Sequence, residues 1–296
     1  MNSSRPSINW LPYIFLAPAG LYLLVFQGIP LVQEMYLSLT STSLLTPRNN
    51  TFVGFDNYVA LFRSQRFLGT VWVTFVYTVS CVVLAIGLGF VTALLLDAPF
   101  KGRAIARTIV TIPWAAPPVA VAIIATWIFN AQYGIFNHAQ RALGIPAYEG
   151  WLDSPQYALP AILIITVWQI FPFSSVVLLA ALQGVPKELR EAAQIDGANA
   201  WHILMAVVWP ALRPTVVLLA LFVTIWSLRR FDLIWLLTQG GPIGSTNTLV
   251  IDLYQRAFVS RDLGAAAAVG MVGLAVALLI TLLYIRASYR TDRTEH

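Results

Sequence analysis

Five stretches of this 296-residue chain carry no acidic or basic residue, and they decide what it can fold into: Pro6 to Gln33, Phe67 to Leu96, Thr108 to Gln140, Ser154 to Pro186, and Leu263 to Ile285. Each can hold an apolar helix of about 20 residues, the length that crosses the hydrocarbon layer of a bilayer. A sixth apolar run follows Arg213 and reaches about Leu237, interrupted by Arg229, Arg230 and Asp232. The pattern predicts an all-α polytopic membrane protein with six transmembrane helices, their cores at 11–33, 70–95, 108–130, 157–180, 212–237 and 264–285. Composition points the same way. The chain is 58% hydrophobic and 10% charged, against about 25% charged in a soluble domain. Neither a single water-facing core nor a disordered tail is compatible with so much apolar surface.

Lysine and arginine in the short loops set the orientation. With both termini in the cytoplasm, the inner segments hold Arg5, Lys101, Arg103, Arg107, Lys187, Arg190, Arg213, Arg286, Arg290 and Arg293, ten in all, against six outside, namely Arg48, Arg63, Arg66, Arg141, Arg256 and Arg261. This bias accounts for the net charge of +5 without nucleic acid, because no basic patch is interleaved with aromatic residues. Residues 1–33 read as an uncleaved first helix, since the apolar stretch continues through Leu21 to Phe26, past the small residues Ala17 to Gly20. Cys81 is the sole cysteine and lies inside the second span, and His138, His202 and His296 are scattered, so neither a disulfide framework nor a metal site is expected.

Residues 38–66 form a Ser-, Thr- and Asn-rich outer loop ending in an amphipathic piece, Asn57 to Phe67. Pro113, Pro117 and Pro118 predict a kinked or broken third span. The longest cytoplasmic connection, residues 181–211, reads as a helix, a turn and a second helix. Pro186 suits a helix start, after which Val185, Leu189, Ala192 and Ile195 share one face, with Lys187, Arg190, Glu191 and Gln194 on the other. Gly197 suits a turn with positive φ, and a second helical piece runs from about Asn199 towards Pro210. By itself this segment fits either a helix lying on lipid headgroups or a docking element for a cytoplasmic partner.

The same segment reads Glu191-Ala192-Ala193, three residues, Gly197, nine residues, then Val207-Val208-Trp209-Pro210. It resembles the EAA loop of permease subunits of binding-protein-dependent ABC importers, with apolar Val207 and Trp209 where that pattern has Ile and Leu. Ala181-Leu182-Gln183, Phe231-Asp232-Leu233-Ile234, Leu237-Thr238-Gln239-Gly240-Gly241-Pro242 and Thr246-Asn247-Thr248-Leu249 are similar to carbohydrate-importer permeases of the maltose-transporter type. The resemblance covers about residues 10–285 and implies the type I ABC importer transmembrane domain in a bacterial or archaeal cytoplasmic membrane. It implies a coupling loop at 185–210, in which Glu191, Ala192, Ala193, Gly197 and Pro210 seat on an ATPase subunit. It also implies the partners: a second permease, two ATPases and an extracytoplasmic solute-binding protein. ATP and Mg would belong to the ATPases and no cofactor to this chain, in which no glycine is followed by lysine as a P-loop requires.

Charged residues within a membrane run are functional candidates, because exposing them to hydrocarbon costs about 2.5–3.5 kcal/mol on insertion scales. Val223, Trp226, Ser227 and Arg230 share one face at helical spacing, mixing aromatic, hydroxyl and cationic groups. The resemblance makes that face part of a sugar pathway and adds Gln169, Ile170 and Phe173 from the preceding span. Arg229 and Asp232 are secondary candidates, with a structural Arg229–Asp232 pair as the alternative to a substrate role. Trp127, Trp168 and Trp235 are weaker, since tryptophans also form interface belts. The family pattern often has asparagine where this chain has Arg229 and Arg230, so the cargo is either a carbohydrate or another polar or anionic solute such as a polyol or glycerol phosphate derivative. An ion-coupled secondary transporter would need acidic or histidine relays in its spans, and a membrane scaffold would leave the Glu191-Ala192-Ala193 spacing without a purpose.

Overall fold

The structure is a computed structural model that describes residues 11–46, 50–144 and 150–292. Arg5, Arg48 and Arg293 of the charge count lie outside the described residues. The helices, in chain order, are α1 (Leu11–Ser38), α2 (Asp56–Arg63), α3 (Gln65–Asp97), α4 (Arg103–Ala115), α5 (Pro118–Ile128), α6 (Ile135–Ala142), α7 (Ala158–Gln183), α8 (Lys187–Ile195), α9 (Ala200–Leu228), α10 (Asp232–Thr238), α11 (Leu249–Tyr254) and α12 (Leu263–Asp292). Five of them are long and apolar enough to cross a membrane, and α4 with α5 makes a sixth span if the bent pair is counted as one. No strand occurs among the described residues.

The chain divides into two compact units. The first, Met1–Leu61 with Leu253–Met271, contains α1 and the beginning of α12. Its loop is closed by side chains: Asn57 Nδ2 donates to the carbonyls of Ser38 at 2.8 Å and Thr40 at 2.9 Å, and the Tyr58 hydroxyl donates to Ser38 Oγ at 2.7 Å. The amides of Leu263 and Gly264 both donate to the Thr42 carbonyl. α1 leaves apolar side chains such as Phe15, Leu16 and Phe26 uncovered, as a helix solvated by lipid can.

The second unit, Phe62–Asp252 with Val272–His296, holds the main core. α7 is its centre: 61% of its apolar window is buried, against 28% for α3 and 22% for α9. α3 can lie close along α7 because Gly89 faces Ser174 and Ser175; a Cβ on Gly89 would sit 2.6 Å from Ser174 Cβ and 2.9 Å from the Ser175 amide nitrogen. Tyr77 on α3 reaches across to α7, its hydroxyl 3.0 Å from Thr166 Oγ1. Around these contacts Cys81, Ala85, Ile162, Val223, Leu233 and Ile251 are fully or almost fully buried.

Proline shapes the interruptions. Pro117 forces Ala116 into extended backbone (ψ 134°), and Pro118 does the same to Pro117 (ψ 132°), because a proline ring clashes with a helical residue before it. The α4–α5 axis therefore turns by 94°. The expected span at 108–130 is two helices, with Pro118 supplying the first residue of α5. A single π-helical turn, Leu204–Val208, stands just before Pro210 in α9, and another, Leu24–Gly28, just before Pro30 in α1. In each, the missing proline N–H leaves the ladder to shift to i→i+5.

The expected span at 212–237 is also two helices. α9 ends at Leu228, Arg229 takes the bridge conformation (φ −97°, ψ 3°), and helix restarts at Asp232, an acidic residue in the first turn of α10. The Arg230 amide bonds back only three residues, to Ser227. Arg230 thus lies beyond the helix on which sequence spacing places it.

The Gly89 contact yields a test with its own control. Gly89→Ala should lower the thermal unfolding temperature of the detergent-solubilised protein, at a cost of about 1–3 kcal/mol for overpacking. Gly87→Ala, where a Cβ meets nothing within 4 Å, should leave it unchanged. Equal behaviour of the two variants would show that the α3–α7 approach is not tight.

Candidate functional site

The two helix breaks meet at one side chain. Gln169, in the middle of α7, is 4% exposed. Its Nε2 donates to the carbonyl of Ala116, in the α4–α5 break, at 2.9 Å. Its Oε1 accepts from Nη2 of Arg230, in the break between α9 and α10. The orientation of the amide is fixed by its partners, because a guanidinium can only donate and a carbonyl can only accept. A carboxylate at position 169 would face Ala116 with an acceptor, and an apolar residue would leave both partners unpaired.

A cavity of about 400 Å³ opens beside this bridge, lined by Trp114, Ala116 and Pro118 from the first break, Gln169 from α7, and Trp226 with residues 229–232 from the second break. Its aromatic wall is continuous across three helices: the Phe173 ring lies 5.5 Å from that of Trp114 and 4.9 Å from that of Trp226. Phe231 stacks on Trp235 at 5.7 Å with 14° between planes. Arg230 Nε is buried with no partner among the described residues. Arg229 and Asp232 are exposed, and no ion pair joins them. Such a wall offers aromatic faces, several N–H donors and one carboxylate, a set that can hold a ring-shaped polyhydroxylated solute.

The expected pathway residues separate into two groups. Gln169, Trp226, Arg229, Arg230 and Asp232 line the cavity, and Phe173 packs between its two tryptophans. Ile170, Val223 and Ser227 are 2%, 0% and 2% exposed and belong to the packed interior behind the wall. The displacement follows from the break, since a face projected backward from Arg230 along an unbroken helix selects residues that turn towards α3 and α7. Sequence reasoning did not select Trp114, Ala116, Pro118 and Phe231. The proline cluster was a visible signal for the first three; Phe231 had none beyond its place next to the two arginines.

At the other end of α7 the polar segment forms a short exposed helix. α8 follows Pro186, and Val185 before it is buried, while Leu189 and Ile195 on the same face are 54% and 86% exposed. Glu191 and Ala192 are exposed and Ala193 partly so. The helix ends in a Schellman turn: Ala198 N–H bonds the Ala193 carbonyl at 2.9 Å and Gly197 N–H the Gln194 carbonyl at 3.0 Å, with Gly197 at φ +82°. Asn199 then caps the next helix, its Oδ1 accepting from the His202 amide at 2.9 Å. Pro210 sits just past the π turn, within the first turn of regular helix that runs into the membrane.

Arg190 ties α8 to the membrane helices. Arg190 Nη1 pairs with Asp97 at the end of α3 at 3.0 Å, and Nη2 donates to the Leu182 carbonyl at the end of α7 at 2.8 Å. The ion pair is about a quarter exposed on either side, so by itself it contributes only about 1 kcal/mol. Its effect is mainly geometric, since the fork ties three helix ends together. Arg103 and Arg107 donate to the carbonyls of Asp97 and Leu96 and so cap the same end of α3.

Comparison with known proteins places this arrangement in a family. Residues 85–293 match the family model described as binding-protein-dependent transport system inner membrane component. The sulfoquinovosyl glycerol transport system permease protein SmoG of Agrobacterium fabrum is 34% identical over 278 residues, covering 93% of this chain and 89% of that protein. The trehalose/maltose transport system permease protein MalF of Thermococcus litoralis is 34% identical over 283 residues, 95% of each chain. Among solved structures, a bacterial ABC transporter involved in the import of the acidic polysaccharide alginate has a chain that superposes with a TM-score of 0.81 at 25% identity, covering 95% of this chain and 96% of that one. The chain belongs to the binding-protein-dependent transport system inner membrane components and is a multi-pass ABC permease subunit of the type I importer fold.

Proposed function

We propose that this permease forms half of the translocation pathway for a carbohydrate, drawn inward by ATP hydrolysis on other subunits. One observation carries the reading: α7 bears Gln169 in the cavity and, roughly 20 Å away at about 1.5 Å per residue, the Leu182 carbonyl that holds Arg190 of α8. A single helix, with Pro172 inside it, therefore joins a polar–aromatic cavity to an exposed surface helix. The names of the relatives, which include transport systems for sulfoquinovosyl glycerol and for trehalose and maltose, support a carbohydrate as cargo.

In this reading two ATPase subunits bind ATP and Mg, and one of them receives α8. The uncovered Leu189 and Ile195, with the small Ala192 and Ala193, would fill its cleft, while Glu191 pairs with a basic residue there. A homologous but different permease completes the pathway, and an extracytoplasmic binding protein delivers the cargo. Both termini face the cytoplasm of a bacterial or archaeal cell, as the lysine and arginine bias favours. When the ATPases close, α8 moves, and Arg190 passes the displacement to α3 and α7. Gln169 then shifts with respect to Ala116 and Arg230, so both breaks respond to one motion.

Two substitutions separate the ends of this path. In the assembled transporter, Gly197→Leu should cut ATPase co-purification and ATP-driven uptake by about tenfold, since a side chain at φ +82° costs roughly 1–2 kcal/mol. Gly197→Asn, which tolerates the left-handed region, should retain most of both. Normal assembly and uptake by Gly197→Leu would contradict the coupling role. Gln169→Met should leave ATPase association intact while lowering uptake, because it strands the Ala116 carbonyl and the Arg230 guanidinium at about 1–3 kcal/mol. Uptake unchanged from the parent would remove Gln169 from the pathway.

A further inference from the structure

The wall of the cavity carries unbalanced charge. Three ionisable side chains line it, Arg229, Arg230 and Asp232, which leaves one positive charge in excess. Neither Arg229 nor Asp232 makes a side-chain hydrogen bond or ion pair with another described residue. Arg230 donates one N–H to a neutral amide, and its Nε–H is buried without a partner. Gln169 cannot compensate, because both ends of its amide are occupied and it has no charge.

A guanidinium stays protonated at any physiological pH. Half-buried beside Trp114, Trp226 and Phe231, the Arg230 guanidinium carries a charge that is costly unless something of opposite sign meets it. Asp232 is too exposed to serve as a tight counter-ion for the half-buried Arg230. Neutral sugar hydroxyls can accept from these N–H groups without cancelling the charge. A planar or tetrahedral oxyanion does both and matches the fork of a guanidinium.

We infer that the cavity takes an anionic carbohydrate, one bearing a carboxylate, sulfonate or phosphate group, with Arg229 and Arg230 reading the charge while Trp114 and Trp226 cover the apolar side of the sugar ring. The inference rests on the carbohydrate reading above and narrows it to a charged class. Arg229 and Arg230 are then the residues that determine specificity within the permease.

The test is direct binding to the assembled transporter in nanodiscs, by titration calorimetry, with four probes: glucose, glucuronate, glucose 6-phosphate and succinate. At least one charged sugar should bind about tenfold or more tightly than glucose, the factor of one added charge-assisted contact. Arg229→Gln, which leaves the Gln169 bridge untouched, should reduce that preference, and Arg229→Gln with Arg230→Gln should abolish it. Arg230→Lys in the otherwise unchanged chain should keep part of it by conserving charge. No preference over glucose, whether all sugars bind alike or none binds, contradicts the inference, as does a preference that survives the double substitution. Glucose binding best would leave a carbohydrate transporter without charge selection. Succinate equal to the charged sugars and dependent on both arginines would leave the anion site standing and overturn the carbohydrate reading.

Discussion

The amide of Gln169 satisfies two interrupted helices at once, and the rest of the arrangement depends on it. A membrane-spanning helix has no water to solvate backbone groups that its own ladder leaves free. The break between α4 and α5 frees the Ala116 carbonyl, and the break between α9 and α10 brings a guanidinium inside. One amide, with one donor end and one acceptor end, answers both. It stands on α7, the most buried of the long apolar helices, so packing along that helix sets its position.

The bridge sets polar groups at the edge of a cavity. The helices of the second unit are tightly fitted, with Gly89 admitting α3 against Ser174 and Ser175. Beside Gln169 lies a cavity with aromatic rings from three separate helices, two guanidinium groups from the segment between α9 and α10, and one carboxylate from the first residue of α10. Helices thus present three of the rings, while the segment between α9 and α10 presents the guanidinium groups. Arg190 plays the corresponding part at the C-terminal end of α7, joining α3, α7 and α8 with one fork.

Much of this was legible in the residues. The charge-free gaps coincide with long apolar helices, and three prolines announced the first break together with its cause. The Glu191-Ala192-Ala193 and Gly197 spacing identified the surface helix, whose turn requires the positive φ that Gly197 adopts. The second break was not legible, because no proline or glycine marks residues 229–231; the arginines there could equally have sat on a continuous helix. That ambiguity turned Val223 and Ser227 towards the supposed pathway, whereas the structure packs them inward. Trp114 and Phe231 escaped notice for a related reason. A cavity made where two breaks face each other is a property of tertiary packing, and periodicity along one segment does not report it.

The central claim is that Gln169 couples the two breaks, and a double-mutant cycle addresses it most directly. Thermal stability of the assembled complex would be measured for Gln169→Met, Arg230→Gln and the two combined. Non-additivity of about 1 kcal/mol or more is expected, because the second substitution removes a partner already lost to the first. Effects that add to within about 0.5 kcal/mol, the range expected of independent sites, would mean that Arg230 and Gln169 do not act together and would contradict the claim.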